Sequence, residues 1–274
     1  MIEINRIYGT LPELLDFLQK KGALCFTKHE IAPYLDISAD ALNLTLHRQR
    51  LKKRILRIRK DFYIIIPIEY QDVGSPPPEW FIDQLMTYLK VKYYVGLLSA
   101  ASLHGAAHQQ PMQFQVITEG LKLRDIRFGR VLIHFVTKHK ILDIGIEKKK
   151  TASGYFNVSC SELTIYDLVR YPSSSGQLNN IATIIAELSD DIKPSLLVDI
   201  AMQSTSQRGE MIYWQRLGYM MDFVEASEKA ELLAKWIKKN KASSGYLVRS
   251  GTGKNLMKSE RWNLYINSKL EPDL

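Results

Sequence analysis

Eight lysines and arginines, and no acidic residue, fall between Arg48 and Lys60 in the run RQRLKKRILRIRK. Cations this dense suit a polyanion, and a nucleic-acid duplex carries a close line of phosphates. Asn43, Gln49 and Arg50 add residue types that read base edges, since Asn and Gln pair bidentately with adenine and Arg with guanine. Lys52, Lys53, Arg57, Arg59 and Lys60 have the character of phosphate contacts, which position a protein without specifying sequence. Three other constellations carry possible chemistry. His104 and His108 in HGAAH are spaced to chelate a metal from one helical face, but the motif lacks the glutamate of HExxH. SGTGK, residues 250–254, has the look of a phosphate loop, yet Val248 replaces its first glycine and Asn255 follows the lysine. Asp143, Glu147 and Lys149 in LDIGIEKKK are the residue types of a metal-dependent nuclease, although the two carboxylates stand close for that arrangement. Packed histidines, a turn and a solvated charge run are the competing readings of these three.

The elements that must position the basic run are legible around it. Residues 28–35 read as a short helix, with Thr27 and Glu30 spaced as a capping box. A turn at residues 36–38 follows, and Ser38 caps a second helix reaching about Lys53. Strand-like runs at residues 55–58 and 62–66 flank Arg59, Lys60 and Asp61, a hairpin signal. Helix-turn-helix followed by a basic hairpin reads as a winged helix, with Ser38 at the mouth of its recognition helix. Leu44 and Leu51 share one face of that helix, Leu42 and Leu46 another. With the Leu44/Leu51 face buried, Asn43, Gln49 and Arg50 project outward, and His47 is read as a satisfied core histidine. Upstream, Leu11, Leu14, Leu15 and Leu18 predict an amphipathic first helix that ends at Gly22. Residues 23–26 are a short strand able to pair with the hairpin.

The 274 residues allow two domains, and 46% apolar with 24% charged residues is ordinary for a soluble protein. A net charge of +8 favours a polyanionic partner. No apolar run is long enough for a membrane span and no signal peptide is evident, so the expectation is a cytoplasmic chain with reduced Cys25 and Cys160. The Pro-rich stretch QDVGSPPPE, residues 71–79, is the expected linker between a domain over residues 1–70 and one over residues 80–274. Beyond it, residues 80–90 and 93–108 read as helices, and residues 112–118 and 131–136 as strands. From residue 163 onward five helices follow, with strands returning near residues 246–249 and 262–266. The fold class expected is α+β: an N-terminal winged helix, then a larger mixed domain with a helical second half. A second basic segment, Arg124, Arg127, Arg130, Lys138 and Lys140, marks a surface of that domain.

YYVGLLSAASLHG (residues 93–105), VSCSELTIYDLVRYP (158–172), a glycine at 176 and WQRLGYMMD (214–222) occur in this order behind the basic N-terminal unit. The chain thereby resembles the AbiEi family, the antitoxins of type IV abortive-infection toxin–antitoxin systems, over about residues 11–224. It departs where Asp61 occupies a turn position at which such proteins often have glycine. The resemblance implies a non-enzymatic protein without cofactor or metal that represses its own promoter by binding inverted repeats in double-stranded DNA, two protomers per operator. It also implies a partner toxin of nucleotidyltransferase type, counteracted without a stable complex, through a surface to which the second basic segment would contribute. Read from the residues alone, the quoted segments are packing motifs: Ser161 caps a helix, Asp167 and Arg170 pair within it, Arg216 bonds a carboxylate or carbonyl, and Gly218 permits close packing. Two rivals remain at this level, a winged-helix regulator that senses a ligand, and a nuclease using Asp143, Glu147 and Lys149.

Overall fold

Thr10 closes an extended segment by accepting a hydrogen bond from the Glu13 amide at 3.4 Å, and Pro12 lies in the first turn, where its missing N–H costs nothing. The helix that follows, α1 (Leu11–Lys20), buries Leu11, Leu14, Leu15 and Leu18 on one face. Burying each leucine contributes about 1.5–3 kcal/mol. Gly22, in the left-handed region at φ 77°, turns the chain out of it. The computed structural model describes residues 4, 6–106, 112–207, 209–249 and 256–272.

Strand β1 (Cys25–Thr27) leads directly into α2 (Lys28–Ile31), and the capping box is formed in both directions: the Glu30 amide donates to Thr27 Oγ1 at 3.1 Å, and the Thr27 amide to Glu30 Oε2 at 2.7 Å. Ser38 caps α3 (Ala39–Leu51) through the Ala41 amide at 3.2 Å. The chain then enters the antiparallel hairpin of β2 (Ile55–Arg59) and β3 (Phe62–Ile65), and β1 pairs with β3 to give the order β1-β3-β2. Successive residues of a strand face opposite ways. Tyr63 and Ile65 therefore join Leu14, Leu15, Leu42 and Leu46, while Phe62 and Ile64 join Phe81, Leu85, Tyr93 and Val116 from further along the chain. The small sheet is thus covered on both faces, which explains the unbroken apolar run FYIII. Residues 71–79 are not a fully solvated spacer, since Ser75 and Pro76 are buried.

After α4 (Ile82–Leu89) comes β4 (Tyr93–Val95), and only then the helix α5 (Leu97–Leu103). This corrects the continuous helix expected over residues 93–108. At Gly96 an added Cβ would sit 3.0 Å from Ile117 Cδ1, so the backbone passes tightly between strand and helix there. The strands β5 (Phe114–Glu119), β6 (Ile126–Phe128), β7 (Val131–Lys138), β8 (Ile146–Thr151) and β9 (Gly154–Ser159) complete a mixed sheet in the order β6-β7-β5-β4-β9-β8. Helices α6 (Ser161–Arg170), α7 (Gln177–Leu188), α8 (Pro194–Ser204), α9 (Met211–Phe223) and α10 (Ser227–Lys239) pack as the helical half. A last small sheet of β10 (Gly245–Tyr246), β11 (Met257–Ser259) and β12 (Leu264–Ile266) has the order β10-β12-β11. It brings Trp262 against Gly218, where an added Cβ would lie 2.1 Å from the indole ring. Arg216 donates to the Tyr246 carbonyl at 3.0 Å, as expected of it. The N-cap of α6 is Cys160, with Ser161 already inside the helix, so the capping role expected of Ser161 is corrected.

Candidate nucleic-acid interface

The orientation of α3 decides what the basic run can touch. Leu42, Leu46 and Gln49, at i, i+4 and i+7, form its buried face, and Leu44 and Leu51 lie exposed on the opposite side. The expected face is therefore corrected. Gln49 is 4% exposed with its Oε1 buried and without a hydrogen-bond partner among the described residues, so it does not project toward a base. His47, expected in the core, is exposed. The outward side presents Asn43, Leu44, His47, Arg48, Arg50 and Leu51. Asn43 accepts a hydrogen bond from Lys28 Nζ at 2.7 Å, which brings α2 and α3 together at their solvent side.

The cations divide into an exposed and a half-buried set. Arg48, Arg50, Lys52, Lys53, Arg57 and Lys60 are exposed. Arg54 is half-buried and ion-paired with Asp16 of α1. Arg59 is half-buried and donates to the Arg124 carbonyl at 2.8 Å, and burial lowers its pKa. The hairpin is held against the second region at that point and at Tyr88, whose hydroxyl donates to the Lys60 carbonyl at 2.7 Å and whose ring lies 5.1 Å from that of Phe62. Asp61 takes φ 74° at the tip, so it supplies the left-handed turn for which glycine is the usual residue. Ser38 is exposed at the start of α3, its hydroxyl engaged as the cap.

Of the second basic segment, Arg124, Arg127, Arg130 and Lys140 are exposed. Lys138 is not a surface residue. It is 2% exposed, and its ammonium lies 2.9 Å from Asp167 Oδ1 and 3.3 Å from the Tyr94 hydroxyl. A buried ammonium must be paired, and Asp167, itself fully buried, meets that need. The Tyr94 hydroxyl donates to the same carboxylate, and burial followed by the Asp167 charge pushes the Tyr94 pKa up. Arg170 turns instead to Glu210, with Nε and Nη2 at 2.8 and 2.6 Å from its two oxygens, and the Tyr166 hydroxyl donates there too. Burial acts to raise the Glu210 pKa, but these hydrogen bonds outweigh it and the net shift is downward. The Asp167–Arg170 pair expected within α6 is therefore corrected: each residue reaches a partner outside the helix.

The other constellations do not assemble a reactive centre. Asp143 pairs with Lys92 at 2.7 Å, and Lys149 donates to the Leu103 carbonyl at 2.7 Å, so two members of the nuclease set are turned to other partners. His104 Nε2 is 2.6 Å from the Ser159 carbonyl oxygen, whereas His108 and SGTGK lie outside the described residues. Among the described residues no group of three or more His, Cys, Asp or Glu is arranged to hold a metal ion. No helix among them is long and apolar enough to cross a membrane.

Residues 94–223 match the AbiEi antitoxin C-terminal domain. This stretch contains Tyr94, Lys138, Tyr166, Asp167, Arg170 and Glu210, the buried polar network just described. No curated protein matches the chain. Among solved structures, the fold is similar to the crystal structure of the RV2827C protein from Mycobacterium tuberculosis, with a TM-score of 0.65 and 12% identity over 96% of this chain and 93% of that one. Over residues 94–223 the chain is thus similar to the C-terminal domain of an antitoxin family of toxin–antitoxin systems.

Proposed function

We propose, from the premise that residues 94–223 are an AbiEi antitoxin domain, that this protein is a type IV antitoxin and the DNA-binding repressor of its own promoter. In this reading the chain divides at residues 71–79, with a winged helix before the linker and the antitoxin domain over residues 80–274. The winged helix binds inverted repeats in double-stranded DNA, one protomer to each half-site. The observation that carries the repressor half is the exposed cationic array of Arg48, Arg50, Lys52, Lys53, Arg57 and Lys60, displayed by one helix and the hairpin beside it. Arg59 ties the hairpin to Arg124, which sets the second basic segment next to the first. The partner is a nucleotidyltransferase-like toxin, countered in the cytoplasm without a stable complex, and the protein itself is not an enzyme.

Two assays test the two halves. A reporter behind the chain's own upstream DNA should be repressed in trans, and co-expression should rescue cells from an adjacent nucleotidyltransferase toxin. Repression without rescue would favour the rival regulator with a ligand-sensing C-terminal half. That rival draws on one cleft of about 640 Å³ lined by Gln115, Asp125, His134 and Ser174.

A further inference from the structure

The outward face of α3 carries two large apolar side chains that the core does not use. Leu44 is 50% exposed and Leu51 70%, and residues seven apart on a helix stand on one stripe. That stripe lies opposite Leu42, Leu46 and Gln49, with His47 and Arg48 between the two leucines and Arg50, Lys52 and Lys53 beside them. A single exposed leucine is ordinary, but two aligned within a rim of cations need a partner of matching chemistry. A second copy of this face would bring like charges together. The major groove of duplex DNA offers the complement, phosphates along both edges and the 5-methyl groups of thymine on its floor. An RNA duplex does not, because its major groove is too deep and narrow to be read.

We propose that Leu44 and Leu51 contact thymine methyl groups in the major groove of the operator, and so help to set its sequence. The inference rests on the DNA-binding reading above. Seven residues of helix span about 10.5 Å, which is about three base-pair steps of 3.4 Å. The two methyls therefore lie within about three base pairs of one another in each half-site.

The test uses the full-length protein and its upstream DNA, with thymines replaced one at a time by deoxyuridine, which removes only the methyl. At two such positions per half-site affinity should fall about four-fold, the equivalent of one apolar methyl left unburied. Leu44→Ala should abolish the sensitivity at one position and Leu51→Ala at the other. Specific binding that no deoxyuridine substitution alters would overturn the methyl contact and leave the repressor intact. If Leu44→Ala and Leu51→Ala change the sedimentation of the free protein while deoxyuridine sensitivity persists, the stripe is a contact between copies, and the proposal falls. Absence of any preference over scrambled DNA would remove the repressor reading and this inference with it.

Discussion

Two arginine- and lysine-bearing regions of this molecule put the same chemistry to opposite use. On α3 and the hairpin, Arg48, Arg50, Lys52, Lys53 and Lys60 face solvent, where a charge costs little to keep and is available to a polyanion. Within residues 94–223, Lys138 and Arg170 are turned inward onto Asp167 and Glu210, with Tyr94 and Tyr166 completing the hydrogen bonding. Charge count alone therefore locates neither site. What matters is which face of which element carries the charge, and whether a carboxylate waits across the core.

The buried pair is the more sensitive of the two to substitution. Lys138→Ala should destabilise the fold by about 3–5 kcal/mol, because it strands the Asp167 carboxylate in the core. Urea denaturation would measure this, and a loss below 1 kcal/mol would mean that the pair is not buried as described. Gly218→Ala forces the Trp262 ring to move and should cost about 1–3 kcal/mol by overpacking, read as a lower unfolding midpoint. On the exposed side, Arg50→Ala should leave stability within about 0.5 kcal/mol. Its operator binding should weaken by about 1–3 kcal/mol if the residue reads a guanine, seen as a preference lost at one base position. Lys60→Ala should have the smallest effect, a uniform loss across sequences that flattens the salt slope by about one.

Much of this organisation is legible in the sequence, for identifiable reasons. Caps and turns are local, so Thr27 with Glu30, and Ser38, announce their helices. The hairpin is legible from its apolar runs and basic turn, and the five helices after residue 160 from their apolar periodicity. The face of α3 is not, because leucines stand on both sides of it. Only the triplet Leu42, Leu46 and Gln49 distinguishes the buried side, and a glutamine hides that signal. The three-residue strand β4 is lost in an apolar run that periodicity alone assigns equally well to a helix. Lys138 is misread for the converse reason: its neighbours His139 and Lys140 are exposed, and nothing local reveals that β7 aims it at α6. Ile58, Phe62 and Ile64 share a core with Phe81 and Leu85 across the proline-rich stretch, a contact distant in sequence.

The most direct test of the account is the affinity of full-length protein for its own upstream DNA, titrated against salt with scrambled DNA as competitor. If Arg48, Lys52, Lys53, Arg57 and Lys60 each neutralise one phosphate, log affinity should fall against log salt with a slope of about −4.5 per protomer, and the native sequence should win the competition. A slope near zero, or equal affinity for scrambled DNA, would contradict the assignment of this cationic face to operator binding.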